Sequence, residues 1–264
     1  MNQQPDLIQD RFGHGFHPRW VRFAIGHSEI EREPGIARLI VDGAVDGELS
    51  DAEIDDHRTA PRWNLHWTPP LTLTVRARFS HPAGELRGTA GFGFWNDPFD
   101  WSGNVEAPPN ALWFFYASPE SDMAFVRGVR GHGWRAAFLN GGKADRVTMA
   151  VGNVLFRIPA MSKLIFAAAE KRMDAAEFLL DEVDMTKWHE YRIEWRAEEA
   201  VFCVDAVEKF RARNPPTVPL GFVAWIDNNA TTMGPGKDFS FNRIAVPTRE
   251  WMELAYVKIE KQES

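Results

Sequence analysis

The stretch Trp188-His189-Glu190-Tyr191-Arg192-Ile193-Glu194-Trp195 changes character at every step. His189, Tyr191, Ile193 and Trp195 share one parity, and Glu190, Arg192 and Glu194 share the other. Successive side chains of an extended chain point to opposite sides, so this pattern reads as a strand with one buried and one wet face. Residues 201–207 supply its hairpin partner. Upstream, Leu71, Leu73, Val75, Ala77 and Phe79 alternate with Thr72, Thr74, Arg76 and Arg78, which marks a second half-buried strand. Residues 88–96 and 110–117 are apolar on both parities, as in central strands covered on both faces, with Pro108-Pro109 and Ser118-Pro119 as punctuation. Short strands are also expected at residues 20–25, 36–41, 134–139, 219–227 and 250–260.

Three stretches depart from this rhythm. Residues 1–19 are polar and rich in Gly and His and read as an irregular lead-in. Residues 51–57 read as an acidic loop. Across residues 162–183, Leu164, Ile165, Ala168, Ala169, Met173, Ala176, Leu179, Leu180 and Val183 recur at threes and fours, and Asp174 with Glu177 resembles a capping box. A helical insert over 160–186 is therefore expected. No repeat or linker divides the chain, so residues 1–264 read as one domain.

The chain carries 44% hydrophobic and 25% charged residues, enough for a core and too apolar for disorder. Its net charge of −7 argues against a nucleic-acid partner, which needs a basic footprint. No run approaches the ~18 apolar residues that cross a bilayer, so no membrane partner is expected. A polar N-terminus and a single cysteine, Cys203, point to the cytoplasm. No phosphate-binding Gly loop, nucleophile elbow or Cys-x-x-Cys occurs. His14 and His17 lack a third zinc ligand, and Asp51, Glu53 and Asp55 lack the Gly and closing Glu of an EF-hand. No cofactor or metal is called for.

The 188–195 stretch, followed by Val201-Phe202-Cys203-Val204-Asp205, Asn214-Pro215-Pro216 and Pro219-Leu220-Gly221-Phe222-Val223-Ala224-Trp225, resembles the C-terminal half of the concanavalin A-like lectin/glucanase superfamily, family 16 glycoside hydrolases in particular. Gly88-Thr89-Ala90-Gly91-Phe92-Gly93-Phe94-Trp95 is similar to the glucanase strand that carries a substrate-facing Trp. The resemblance covers about half the chain and implies an all-β fold, a two-sheet antiparallel jelly-roll sandwich. The family's catalytic Glu-x-Asp-x-Glu strand follows the Trp strand, and here that place holds Leu112-Trp113-Phe114-Phe115-Tyr116-Ala117, with no carboxylate. Glu53-Ile54-Asp55-Asp56 comes before the Trp strand, runs into His57 and Arg58, and lacks the closing Glu, so the family's catalytic residues are not carried onto it.

Eleven Trp and 19 Phe against three Tyr suit either a broad core or a ring-lined site. Trp95, Asn96, Asp97, Asp100 and Trp101 mix indoles with carboxylates, as sugar sites do; a turn covered by tryptophans explains them equally well. Trp225, Asp227 and Asn229 share one parity of the last central strand, although Asp227-Asn228-Asn229 also reads as a turn. Asp97 or Asp227 is the expected proton carrier if their apolar neighbours raise its pKa. Trp113 and Tyr116 lie on opposite faces of their strand, and whichever face lines the cleft adds a ligand contact. Glu120 and Asp122 stand at that strand's exit. His189 reads more simply as a hydrogen-bonded sandwich residue than as a base. Two function classes follow: a glycan-binding or glycan-cleaving jelly roll, or an aromatic pocket for a small apolar metabolite. A purely structural domain is a third.

Overall fold

The computed structural model describes residues 7–60, 64–98, 107–142, 173–234, 237 and 240–262. In chain order the strands are β1 (Leu7–Asp10), β2 (Val21–Ile25), β3 (Ser28–Glu33), β4 (Ile36–Val41), β5 (Asp51–Asp55), β6 (Leu71–Phe79), β7 (Thr89–Trp95), β8 (Asn110–Ala117) and β9 (Asp122–Met123). They continue as β10 (Gly133–Asn140), β11 (Asp174–Leu179), β12 (His189–Trp195), β13 (Glu199–Val204), β14 (Val207–Arg213), β15 (Gly221–Asp227), β16 (Asn229–Met233), β17 (Ser240–Arg243) and β18 (Glu250–Lys261). Among the described residues the only helical element is a 3-10 turn at His57–Thr59.

Two large antiparallel sheets face each other. One runs β14-β13-β12-β6-β18-β4-β3, with β1 paired to β18; the other runs β11-β10-β8-β7-β15-β5-β2. A small third sheet, β17-β16-β9, sits beside them. This is the expected two-sheet jelly-roll sandwich. The alternation in the 188–195 stretch works as read: Tyr191, Ile193 and Trp195 are buried, while Glu190, Arg192 and Glu194 face outward. Tyr191 meets Phe92 and Phe114 of the opposite sheet at ring distances of 5.1 Å and 5.0 Å, and Trp195 meets Phe94 at 5.4 Å. Edge-to-face and tilted packing of this kind adds to the area buried between layers.

Three expectations need correction. The described part of the 160–186 insert is not helical: Asp174–Leu179 forms β11, paired antiparallel with β10 at the sheet edge. Asp174 and Glu177 therefore form no capping box, and residues 160–172 lie outside the described residues. The 51–57 stretch is not a loop over its first five residues. Asp51–Asp55 is a strand between β15 and β2, with Ala52 and Ile54 pointing into the core. Within the 1–19 lead-in, Leu7–Asp10 pairs with β18.

Candidate functional site

Direct partners across an antiparallel ladder point to the same side of the sheet. The register therefore defines the outer face of the seven-stranded sheet row by row. Glu53 on β5 pairs with Trp225 on β15, Trp225 with Gly91 on β7, Gly91 with Phe115 on β8, and Phe115 with Arg135 on β10. A parallel row contains Asp55, Val223, Gly93, Trp113 and Ala137. A third contains Asp51, Asp227, Thr89 and Ala117. One flank of this face is acidic and its middle is aromatic.

The middle is a continuous floor of rings. Trp95 and Trp113 lie 6.2 Å apart, Trp113 and Trp225 5.7 Å, and Phe115 stacks on Trp225 at 6.1 Å. The three tryptophans are half-buried. Glycines make room for them. A Cβ on Gly91 would meet Phe114's carbonyl oxygen and stand 2.8 Å from Trp225 Cη2, and one on Gly93 would meet Leu112's carbonyl oxygen and stand 2.7 Å from Trp113 Cβ.

The acidic flank converges on one imidazole. His57, buried at the end of β5, has its Nε2 3.6 Å from Glu53 Oε1 and 3.9 Å from Asp97 Oδ2, and its Nδ1 3.4 Å from Asp55 Oδ1. The Trp95 indole donates weakly to Nδ1 at 3.4 Å, with the ring edge-on to the imidazole. Asp97 follows β7 in the left-handed region, at a φ of 43°, which Asp tolerates better than most residues. Its side chain is 30% exposed, while those of Glu53, Asp55 and His57 are nearly or fully closed to solvent. Asp97 is thus the member of the group that meets solvent.

Arg58 binds both buried carboxylates. Its Nη1 donates to Glu53 Oε1 at 2.6 Å and also to Asp55, and its backbone N–H donates to Asp55 Oδ1 at 2.9 Å. Ligand atoms of Glu53, Asp55 and His57 lie within 4.8 Å of one another, which is spacing a cation accepts, but here the guanidinium fills that electrostatic role. Burial opposes charge on Arg58, yet Glu53 and Asp55 outweigh it and hold the group protonated. Burial drives Glu53 up to about 8, against the pull of Arg58 and with help from Asp55 and Asp97. It also raises Asp55, and it raises Asp51 well above the carboxylate range, reinforced by Glu53 and Asp227.

These upward shifts set a pH dependence of stability. A carboxyl whose pKa rises on folding binds its proton more tightly in the folded state. Its stabilising contribution is complete below the unfolded value near 4, and it is lost as pH climbs through the folded value. The melting temperature is accordingly expected to fall between pH 5 and pH 8, and Asp51→Asn to flatten that fall. Scanning calorimetry across the interval checks this; a flat or rising wild-type profile refutes it.

The remaining expected site residues divide. Asp227 and Asp97 do not converge. Asp227 pairs with Thr89 at one end of β7, and Asp97 lies beyond Trp95 at the other, more than six residues or ~20 Å along the strand. Asp227 is buried and shifted upward by that burial, but its acceptors are taken: Oδ1 receives the Thr89 N–H, the Thr89 hydroxyl and the Asn229 N–H, and Oδ2 receives Asn229 Nδ2. Asn229 serves that bond, and Asn96 ties Pro108 to Asn110. Tyr116 is on the core side, fully buried, with its hydroxyl donating to Leu86's carbonyl oxygen. Asp100 and Trp101 lie outside the described residues. Glu120 and Asp122 pair with Arg87 and Lys237. His189 is on the other sheet, 2.6 Å from Asp205 and 3.1 Å from Asp184's carbonyl oxygen, where it braces a turn. Sequence reasoning missed Glu53, His57 and Arg58 as site residues. The signal was the alternation Asp51-x-Glu53-x-Asp55-x-His57, which has the period of a strand.

No family model matches the chain, and no curated protein matches it in sequence. Solved structures do match in fold. The Bacillus licheniformis β-glucanase superposes with a TM-score of 0.51 at 10% identity, over 98% of this chain and 100% of that one. A family 16 endo-glucanase from Bacteroides ovatus matches at 0.50 and 10% identity, over 96% and 99%. A GlcNAcα1-4Gal-releasing endo-β-galactosidase from Clostridium perfringens matches at 0.51 and 15%, over 96% of this chain and 61% of that longer one. At these identities the likeness shows the two-sheet jelly-roll fold alone.

Proposed function

We propose that the outer face of the seven-stranded sheet binds a carbohydrate chain, and that Glu53 and Asp97 carry acid–base cleavage of a glycosidic bond. The observation behind this reading is that both carboxyls reach one nitrogen, His57 Nε2, at the edge of the aromatic floor. Their distances of 3.6 Å and 3.9 Å set an upper limit, the sum of the two, on the separation of those oxygens, and that limit admits both the ~5–5.5 Å of retaining carboxyl pairs and the lower part of the ~6.5–9.5 Å of inverting ones. Rings suit the apolar faces of sugars, and the carboxyls suit hydroxyls and the leaving oxygen. With its pKa near 8, Glu53 holds a proton at neutral pH and serves as the acid. It protonates the glycosidic oxygen as the C–O bond breaks and its electron pair passes to that oxygen. Water adds to the sugar carbon and loses its proton to Asp97, and both carboxyls then re-equilibrate with solvent. Asp97 keeps the role expected of it, and Glu53 takes the place of Asp227.

A panel of β-glucans, galactans and mucin-type glycans, assayed for new reducing ends and for binding by calorimetry, tests this. Cleavage of at least one, with activity falling above about pH 8, is the expected result. A second reading rests on Phe115, Phe125, Ala137 and Leu139, which form an apolar cluster on the same face with Met123 and Met233 packed against it. Thermal stabilisation by lipophilic metabolites, together with no glycan binding, would replace the carbohydrate reading with that one.

A further inference from the structure

Arg135 stands in the same outer row as Phe115, Gly91, Trp225 and Glu53. Its side chain is fully buried and, among the described residues, engages hydrogen-bond acceptors through one nitrogen only. Nη1 donates to Met123's carbonyl oxygen at 3.0 Å and to Glu177 Oε2 at 2.7 Å. Glu177 is further satisfied by the backbone N–H groups of Phe125 and Val126. Nε and Nη2 form the edge of the guanidinium that offers two parallel N–H donors, and neither has an acceptor among the described residues. The buried indole nitrogen of Trp113 has none among them either. Both groups flank Phe115: the guanidinium carbon is 5.9 Å and the Trp113 ring 5.8 Å from its centre.

Buried donors are almost always paired, and a cationic one left open is costly. The shape of the open edge selects its partner, because two parallel N–H groups on a planar cation match the two oxygens of a carboxylate. We infer that Arg135 is a subsite for the carboxylate of an acidic glycan, one lying along the row that runs to Glu53. This rests on the carbohydrate reading above and narrows it to uronate-containing chains. Four strand spacings separate β10 from β5, ~19 Å, so the occupant is an oligosaccharide rather than a single sugar. Burial lowers the pKa of Arg135 even beside Glu177, and a second carboxylate would reverse that shift. Because the guanidinium is closed to solvent, side chains packed on it must open first. Association is expected to be slower than the ~10⁵–10⁷ M⁻¹s⁻¹ of rigid docking.

Calorimetric titration of alginate, oligogalacturonide and hyaluronan oligosaccharides, each beside the same material with its carboxyls reduced to hydroxymethyl groups, tests this. At least one acid form is expected to bind about ten- to a hundred-fold more tightly than its reduced partner. Arg135→Lys keeps the charge facing Glu177 and removes the paired edge, so it should abolish that preference while the reduced form binds as before. Reduced forms that bind as well as acid forms to the wild type overturn the Arg135 assignment and leave the carbohydrate reading standing. An unchanged preference in a folded Arg135→Lys variant does the same. Binding of neither form overturns the Arg135 assignment, and the β-glucan, galactan and mucin-type panel above then decides the carbohydrate reading separately. The wild-type comparison decides the matter should the variant fail to fold.

Discussion

Glu53→Gln is expected to lower kcat on a cleavable glycan by about 10²–10⁴-fold, the range of a lost general acid, with KM little changed. The substitution resembles the protonated form that burial already enforces up to about pH 8, so the fold should tolerate it. Asp97→Asn is expected to fall comparably, and the double variant to fall little further, because two groups acting on one step are not additive. Asp227→Asn is the informative contrast. Its carboxylate accepts four hydrogen bonds within the protein, so that variant should lose stability while turnover stays within a few-fold. A reversal of the two outcomes, with Asp227 deciding turnover and Glu53 dispensable, would move the reaction to the other end of β7.

The second large effect concerns folding. Asp56, next to the site but pointing the opposite way, accepts the Trp67 indole N–H and the Phe222 backbone N–H, both at 2.7 Å. Burial raises its pKa to about 7, against the pull of those donors. Asp56→Ala would leave two buried donors without acceptors, each costing about 1–3 kcal/mol, and should destabilise the protein by about 2–6 kcal/mol. Asp56→Asn keeps a carbonyl oxygen and should cost less than half of that. Urea denaturation with an unchanged m-value gives the difference directly, and a loss below 1 kcal/mol for Asp56→Ala would show that the two N–H groups find other partners.

The parts of the fold visible in the sequence were those where the local pattern and the tertiary environment agree. β12 has one buried and one wet face, β6 has a wet side only at Arg76 and Arg78 while Thr72 and Thr74 are buried, and the alternation shows both strands. β7 and β8 are covered on both sides, and they read as apolar on both parities. Two elements escaped for opposite reasons. β11 is rich in residues that favour helices, and its strand state comes from pairing with β10 and from the Glu177–Arg135 ion pair, neither of which is local in sequence. β5 was hidden by its carboxylates. Three acidic side chains in five residues suggest a solvated turn, whereas Asp51, Glu53 and Asp55 lie beside rings and glycines on the outer face of a sheet. The site followed the same logic. Trp95, Asp97, Trp113 and Trp225 were legible as rings and acids near turns, but the partner of Asp97 came from a strand two positions away in the sheet and some forty residues earlier in the chain.

The two glycines under the tryptophans have a consequence for how this face changes over time. Any side chain introduced on β7 at those points collides with backbone and with a tryptophan side chain, so both positions are closed to substitution. Selectivity for whatever lies on the floor must then be adjusted from its margins, at β5 and β15 on one side and β8 and β10 on the other. Descendants of this chain with altered preferences should differ there and keep the lane between them bare.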